Sequence, residues 1–307
     1  MTGGAPRASL SPYHAGERAV QDRAGVRDLA DAVGRGIRPT IPPGLDGFVG
    51  ARPLVVVAGA DAAGRVWASP LAGDPGFVRA IDEQMLRVAV APAPSDPLAP
   101  ALTPGAAAGL LMIDLATRRR LRINGLVAAR PAGTLIVRAA QVYANCPTYI
   151  QKRAIASDVA IRRAGAQALR SGTLTTRQRR WVCGADTFFI ATAHPQAGAD
   201  ASHRGGPPGF VRVVDARTLV FPDYPGNAMF NTLGNLAADP RAGLLFIDGD
   251  RGDTLHLTGR ARVVWGAARA VAGAERLVEF TLDEAIHRAG ACPLRWRFVA
   301  ASPFNPT

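Results

Sequence analysis

The stretch ASHRGGPPGFVRVVD, residues 201–215, repeats an earlier stretch, ASPLAGDPGFVRAID, residues 68–82. Nine of the fifteen positions are identical, at an offset of 133 residues. Three further pairs share an offset of 134: PLVVVA (53–58) with TFFIAT (187–192), GLLMID (109–114) with GLLFID (243–248), and LRINGLV (121–127) with LHLTGRA (255–261). Because almost the same offset holds over four blocks, we infer that a unit of about 80 residues occurs twice, near 52–130 and 186–265.

Each copy consists of short apolar runs separated by turn residues. Runs such as 54–57 and 121–123 in the first copy match 188–191 and 255–258 in the second. Short strands with frequent turns predict a β-sandwich or barrel. The repeat is too long for a solenoid, so two domain-sized copies indicate a pseudo-dimer within one chain. The predicted fold class is therefore mainly β with α (α+β), with two tandem β-barrel units.

The residues outside the repeats have a helical composition. Helices are predicted over 15–35 and 147–171, and a helical or mixed segment over 267–290. Inside the second copy, residues 228–238 predict a helix that ends before Pro240. The predicted organisation is a helical N-terminal extension (1–50), a degenerate first barrel (51–130), a connector with a helix (131–185), a second barrel that carries the site (186–265) and a C-terminal segment (266–307).

Composition narrows the class of protein. The sequence has no apolar run of 18 residues and no signal-peptide core, which predicts a cytoplasmic protein without a membrane partner. Three scattered cysteines, none in a CxxC motif, give no support for a disulfide framework or a metal site. The net charge of +12 comes almost wholly from dispersed arginines without interleaved aromatics. This pattern favours a solvated basic surface over a nucleic-acid partner.

The two copies differ first in a short glycine-rich stretch. The second copy has Ser202, His203 and Arg204 before two glycines, where the first has Ser69-Pro70-Leu71. Hydroxyl, imidazole and guanidinium groups beside accessible backbone N–H groups suit a phosphate or another anion. The alternative is an ordinary glycine turn with an exposed arginine.

A larger difference follows. The second copy has FPDYPGNAMFNTLGNL at 221–236, and the first has the proline-broken VAPAPSDPLAPALTPG at 90–105. Asn227 is the predicted N-cap of the helix, with Asn231 and Thr232 in its early turns, and a helix N-terminus with such donors favours an anion. Alternatively, Asn227 only caps the helix and Asn231 faces solvent. The loss of this segment from one copy indicates a pseudo-dimer with one working site.

The second copy resembles the FMN-binding split barrel of the pyridoxamine 5′-phosphate oxidase family. The resemblance is carried by PPGFVRVVD, TLVFPDY, GNAMFNTLGNLAADPRAGLLF and LHLTGRA, in that order. The first copy resembles a degenerate form of the same unit. NCPTYIQKR (145–153) and PLRWRFVAASPFNP (293–306) resemble segments of longer members with fused halves.

The resemblance implies an FMN-dependent oxidoreductase in which FMN lies at the seam between two barrels. The cofactor-binding candidates are Ser202, Arg204, Phe221, Pro222, Asp223, Tyr224, Asn227, Asn231 and Thr232. Asn231 and Thr232 stand where the oxidase has an Arg-Lys pair on the phosphate. Positive charge must therefore come from Arg204 or from the other half.

No catalytic residue is assigned, although His203 and Asp223 are candidate proton carriers. Trp296 lies where the oxidase has a tryptophan near the substrate, with plain core packing as the alternative, and Tyr149 and Gln151 could reach the site from the connector. The expected partners are a small-molecule substrate and an electron donor or acceptor, and a homodimer stays open. The alternative function is a non-catalytic flavin- or haem-binding module of the same fold.

Overall fold

The computed structural model describes residues 11–156, 167–266 and 271–306. The helices are α1 Ala15–Arg23, α2 Arg27–Gly34, α3 Asp46–Gly50, α4 Thr176–Gly184 and α5 Asn231–Ala238. The strands are β1 Leu54–Ala60, β2 Val66–Ala72, β3 Val78–Ala80, β4 Met85–Val88, β5 Ala107–Asp114, β6 Arg119–Ala129, β7 Leu135–Ala144, β8 Lys152–Ile155, β9 Ala168–Ser171, β10 Thr187–His194, β11 Gly198–Gly205, β12 Arg212–Val213, β13 Thr218–Asp223, β14 Arg241–Ile247, β15 Thr254–Val264, β16 Arg276–Arg288 and β17 Trp296–Ala300.

Two antiparallel sheets have the same strand order. The first is β2-β1-β5-β6-β7-β4-β3, and the second is β11-β10-β14-β15-β16-β13-β12, with β9 added beside β16. Each strand of the first sheet thus corresponds to the strand nine places later in the chain. This repetition confirms the predicted fold class, mainly β with two tandem split-barrel units.

The apolar runs that mark the repeat are buried on both faces. In β1, Val55 and Val57 belong to the core of the first barrel. Val56 and Ala58, on the opposite face, join a third cluster together with Phe189 of β10. A strand buried on both faces reads as a continuous apolar run rather than an alternating one. The seam between the barrels is therefore a hydrophobic core of its own.

Two glycines at equivalent positions bring the barrels together. A Cβ at Gly109 of β5 would lie 2.6 Å from the Ala199 carbonyl oxygen in the second barrel. A Cβ at Gly243 of β14 would lie 2.6 Å from the Val66 carbonyl oxygen in the first. The 134-residue offset relates the two glycines, so the seam has the approximate two-fold symmetry expected of a pseudo-dimer.

The helical prediction is confirmed at the N-terminus and wrong in two other places. The helices α1 and α2 lie within residues 15–35. Residues 276–288 form β16, which pairs with both β15 and β13, so its charged composition does not make it a helix. In the connector, β8 pairs with β17 and β9 with β16, and residues 157–166 of the predicted helix lie outside the described residues, as do 267–270.

The connector helix lies later in the chain, at α4. Thr175 caps its first turn, and Gln178 returns a hydrogen bond to the Thr175 backbone, which is a capping box. The strand β7, also within the predicted connector, belongs to the first sheet. No helix in the described part of the chain is long and apolar enough to cross a membrane.

Candidate functional site

A cleft at the seam collects polar side chains from both halves. We call it the arginine cleft, and its volume is about 90 Å³. It is lined by Arg120, Arg122, Asn145, Cys146, Thr148 and Tyr149, by His203, Arg204, Gly205 and Phe210, and by Pro222, Asp223, Tyr224, Pro225, Gly226, Asn227, Ala228, Phe230, Asn231, Thr232 and Leu233.

The first barrel supplies two of the three arginines. Side chains alternate between the two faces of a strand, so Arg120, Arg122 and Asn124 share one face of β6 while Leu121 and Ile123 enter the first core. The polar face is turned to the seam, because Arg122 reaches the second barrel. The charge that the second copy lacks therefore comes from the other half.

Arg122 is the centre of a buried polar network. Its guanidinium forms an ion pair with Asp200, with N···O at 3.1 Å, and also donates to the Ser202 hydroxyl. The Ser202 and Thr232 hydroxyl oxygens are 3.0 Å apart, and the Asn231 side-chain oxygen lies 3.4 Å from Arg122. One arginine thus connects the glycine-rich strand β11 to the start of α5.

The helix α5 begins at Asn231, three residues after the predicted start. Ala228 and Phe230 both have left-handed backbone conformations, with φ of 59° and 57°, which end any helical path before Asn231. Asn227 is not the N-cap, because its side-chain oxygen accepts from the Met229 N–H at 3.2 Å in the preceding turn. Non-glycine residues with positive φ cluster at ligand sites, where the surrounding structure holds them.

The N-terminal helix α1 packs on α5 at a glycine crossing. A Cβ at Gly16 would lie 2.3 Å from the Gly234 carbonyl oxygen, so the two backbones touch. This contact buries Glu17, whose carboxyl accepts from the Asn231 amide at 2.5 Å. Burial raises the pKa of Glu17 to about 7, although hydrogen bonds to His14 and Asn231 oppose the shift. His14 caps α1 and contacts Asn235 at 2.9 Å.

Among the described residues, the arginine cleft holds more guanidinium groups than carboxylates paired closely with them. Burial, with repulsion from Arg122 and Arg204, lowers the pKa of Arg120 to about 9, so it stays charged at neutral pH. The ion pair of Arg204 with Asp223 is long, at 4.0 Å. Burial and the neighbouring arginines lower the pKa of His203 well below its usual value, so this ring is neutral at pH 7.

Three buried polar atoms of the cleft have no hydrogen-bond partner among the described residues. They are the Nε of Arg122, the Nε2 of His203 and the side-chain oxygen of Asn145. Buried polar groups are nearly always paired, so each orphan atom suggests a missing ligand or water. Two potential donors beside excess positive charge fit an anionic group of phosphate size.

Most predicted residues come together here. Seven of the nine cofactor-binding candidates line the cleft, namely Arg204, Pro222, Asp223, Tyr224, Asn227, Asn231 and Thr232. Ser202 lies just behind, bonded to Arg122. Phe221 does not face the cleft: it is 1% exposed and packs on Phe188 in the second core, because strand alternation turns it inward.

The two candidate proton carriers have different surroundings. His203 is 2% exposed and lines the cleft. Asp223 forms a buried ion pair with Arg276, with N···O at 2.9 Å. That ion pair gives Asp223 a structural partner outside the ligand space.

The three other residues suggested by the family resemblance lie in different places. Tyr149 lines the arginine cleft. Gln151 is 1% exposed and bonds the C-terminal tail instead. Trp296 lies in β17 beside a different cavity and packs in the seam cluster, in agreement with the packing alternative.

Sequence reasoning missed Arg120, Arg122, Asp200 and Glu17. The sequence does contain signals for them. LRINGLV places polar side chains at alternate positions of a predicted strand that should pack against another barrel. The signal for Glu17 is a capping box, hidden because His14 occupies the position usually taken by Ser or Thr.

The first barrel has an equivalent cavity, which we call the counterpart cavity. Its lining residues Pro70, Leu71, Val90 and Ala91 correspond to His203, Arg204, Asp223 and Tyr224, at the 133-residue offset. Its volume is about 330 Å³, and its charged residues, Asp96 and Arg288, pair with each other at 2.8 Å.

One protein-family model matches the second half of the chain. Residues 174–290 match the family model described as pyridoxamine 5′-phosphate oxidase. The matched segment extends from just before α4 to just after β16, so it contains the whole second barrel. The resemblance inferred from the sequence is confirmed there. No curated protein matches the chain.

Solved structures that are similar to this chain include three that each cover about two fifths of it. A putative pyridoxamine 5′-phosphate oxidase from Lactobacillus delbrueckii is 14% identical, with a TM-score of 0.33 over 38% of this chain and 97% of that one. An FAD-binding protein from Mycobacterium smegmatis is 16% identical, with a TM-score of 0.28 over 39% and 98%. HupZ from Group A Streptococcus is 12% identical, with a TM-score of 0.30 over 42% and 98%.

Proposed function

We propose that the arginine cleft binds FMN, because residues 174–290, which contain the second barrel, match the pyridoxamine 5′-phosphate oxidase family model. The chain would then be an FMN-dependent oxidoreductase that acts on a small molecule together with an electron donor or acceptor. The observation that carries the proposal is the excess of positive charge and orphan polar atoms in a cleft beside this barrel.

The phosphate would be held by groups from both halves. Arg120 and Arg204 supply positive charge that no close carboxylate neutralises. Asn231 and Thr232 open α5, and the N-terminal end of a helix attracts anions through its free N–H groups. Arg120 of the first barrel would thus supply positive charge in place of the Arg-Lys pair that the resemblance leads us to expect on α5.

FMN supplies the hydride or electron chemistry when it is bound, and the protein positions the reactants. His203 lines the cleft and is neutral at pH 7, and its buried Nε2 has no hydrogen-bond partner among the described residues. It therefore suits a hydrogen bond to the ligand better than proton donation. Arg276 fixes Asp223, so Asp223 would align Arg204 and the cleft wall.

A second candidate function is a flavin- or haem-binding module without turnover. The observation that favours it concerns the two candidate proton carriers: the lowered pKa of His203 leaves its ring neutral at pH 7, and Asp223 is held in a buried ion pair with Arg276. Steady-state oxidation of a nicotinamide donor by the FMN-loaded protein, with an added electron acceptor, distinguishes the two. Turnover above the rate of free FMN supports the oxidoreductase, and binding without turnover supports the module.

The direct test is the absorbance spectrum of the purified protein, followed by FMN titration. We expect a yellow protein that releases FMN on denaturation. A charged hydrogen bond contributes about 1.5–3 kcal/mol, so Arg204→Ala should weaken FMN binding by about ten- to a hundredfold.

The matched control is Leu71→Ala, at the equivalent position of the first barrel. Leu71 is 1% exposed, so this change should lower stability but leave FMN affinity unchanged. Colourless protein that takes up no added FMN would refute the proposal. Equal FMN affinity in wild type and both variants would show that FMN binds elsewhere.

A further inference from the structure

Two tyrosines stack across the arginine cleft. Tyr149 follows β7 and Tyr224 follows β13, and their ring centroids are 4.9 Å apart with an angle of 29° between the planes. Both rings are half-buried and line the cleft. Neither hydroxyl has a hydrogen-bond partner in the described part of the chain. Within that part, stacking and packing, and no side-chain hydrogen bond, therefore hold the two rings together.

The backbone of Tyr149 is held in an unfavourable conformation. Its φ is 63°, in the left-handed region that bulky residues rarely adopt. The Tyr149 N–H donates to the Ser302 hydroxyl at 3.1 Å, and its carbonyl accepts from the Gln151 amide at 3.2 Å. A Cβ at Gly205 would lie 2.0 Å from that carbonyl, so β11 supports it from behind.

The C-terminal tail locks this loop. The side-chain oxygen of Gln151 accepts from the Ser302 N–H at 2.8 Å and from the Asn305 amide at 3.2 Å. Gln151 also donates to the Gly206 carbonyl at 3.2 Å. The position of Tyr149 is therefore fixed by three separate parts of the chain. Tyr224 instead packs against the core of the second barrel, and the exposed residues Pro225 and Gly226 follow it.

The space inside the cleft is too small for a flavin. Its volume of about 90 Å³ compares with about 300–1,000 Å³ for typical small-molecule sites. A phosphate fits the inner part, but a tricyclic ring has to lie at the tyrosine pair. Two ring faces in contact with an inserted ring would be about 7 Å apart, against 4.9 Å between the present centroids.

We propose that Tyr149 and Tyr224 form an aromatic clamp that selects ligands joining a planar ring system to a phosphate. Tyr149 is the fixed face of the clamp, and Tyr224 moves outward to admit the ring. The clamp rests on the proposed function, since FMN is such a ligand. The clamp adds that a ligand needs a planar ring system as well as a phosphate in order to bind tightly in the cleft.

The test compares FMN binding to the wild type with binding to Tyr149→Leu and Tyr224→Leu. Stacked tyrosines quench flavin emission, so we expect wild-type protein to bind FMN with strongly reduced fluorescence. Loss of one ring face should weaken binding by about tenfold and restore emission. Tyr149→Phe and Tyr224→Phe keep the ring face and should keep the wild-type FMN affinity, although a phenyl ring donates electrons less readily than a phenol and should quench flavin emission less.

Two controls separate a clamp from a folding defect. Phe298→Leu removes an aromatic ring that is 59% exposed outside the cleft, and should change nothing. Inorganic phosphate, measured as a competitor of FMN, should keep its affinity in both leucine variants. If the leucine variants lose affinity for inorganic phosphate as well as for FMN, the clamp proposal is overturned.

The outcomes distinguish the clamp from the function that it rests on. Wild-type protein that binds no FMN refutes both proposals. FMN binding with the same affinity and quenching in wild type, Tyr149→Leu and Tyr224→Leu refutes only the clamp. Weaker binding with restored emission, in the leucine variants alone, supports both.

Discussion

The arginine cleft and the counterpart cavity occupy equivalent places in two barrels of the same design. The counterpart cavity is the larger, at about 330 Å³ against about 90 Å³. Its polar groups satisfy one another: Arg288 pairs with Asp96, and Asp96 accepts from Ser69 at 2.6 Å. The arginine cleft instead keeps polar atoms without partners among the described residues. Unpaired polar atoms therefore distinguish the candidate ligand site better than volume does.

Replacement of one segment explains this difference. In the first barrel, the proline-rich residues 90–105 replace the turn and helix α5. Leu98 and Leu102 from this segment are buried in the first core. Asp96 from the same segment receives Arg288, so the charge of the cavity is neutralised internally. In the first barrel, an apolar segment whose Asp96 pairs with Arg288 of β16 thus stands where the second barrel has the turn and α5.

The largest expected effect comes from breaking the two buried ion pairs. Arg122→Met and Arg288→Met each leave a buried carboxylate without its partner, Asp200 or Asp96. Each should lower the free energy of unfolding by about 3–5 kcal/mol, measured by urea denaturation. Only Arg122→Met should also weaken FMN binding.

Double variants sharpen the same comparison. Arg288→Met with Asp96→Leu should recover most of the lost stability, because an apolar pair replaces a buried ion pair without an orphan charge. Arg122→Met with Asp200→Leu should recover stability without recovering FMN affinity. If Arg288→Met weakens FMN binding as much as Arg122→Met, the two cavities do not differ as proposed.

The next largest effect is a change of stability with pH that comes from Glu17. This residue contacts Asn231 at the start of α5 and does not line the counterpart cavity. The pKa of Glu17 is about 7 in the folded protein and 4.5 in the reference state. Between these values the folded state holds a proton that the unfolded state has lost. Stability should therefore fall by about 3 kcal/mol as pH rises from 4.5 past 7.

Glu17→Gln should remove this part of the pH dependence. Buried His203 and His256, whose pKa values are lowered, act in the opposite direction, so the measured quantity is the difference between variant and wild type. Glu279→Gln, in an exposed ion pair with Arg262, is the control. Parallel stability curves for Glu17→Gln and wild type from pH 4.5 to 8 would contradict the prediction.

The smallest effect tests the seam. Gly109→Ala and Gly243→Ala each force a Cβ against backbone of the opposite barrel and should cost about 1–3 kcal/mol. Gly109 lies against Asp200, so its variant should also weaken FMN binding, whereas Gly243→Ala should not. Gly47→Ala, with no atom within 4 Å of the new Cβ, is the control. Tolerance of both seam variants would mean that the barrels are not packed closely at these glycines.

The fold could be predicted because the sequence contains the same structural unit twice. A matched block in both copies identifies strands such as β5 and β14 even where one copy alone is ambiguous. Strand β16 was missed because its pairing partners, β15 and β13, decide its conformation and its own composition does not. Pairing between strands overrides local preference in this way.

Only the part of the candidate site that the second barrel contributes could be predicted from the sequence. Arg204, Asn231 and Thr232 differ visibly from the first copy, so the repeat identifies them. Arg122 comes from a strand of the first barrel, and Glu17 from a helix more than two hundred residues away from its partner Asn231. No local pattern reports a contact of that kind, because packing of the two barrels creates it.

The glycine seam has a consequence for inheritance. In a dimer of identical subunits, each substitution occurs twice, so a change that removes one site removes both. Here the barrels are encoded separately, and one of them could lose its site while the other was retained under selection. The seam was not free to diverge in this way, because Gly109 and Gly243 each support a contact that both barrels need. Two barrels in one chain can therefore differ in their cavities, while the contacts at Gly109 and Gly243 constrain both barrels together.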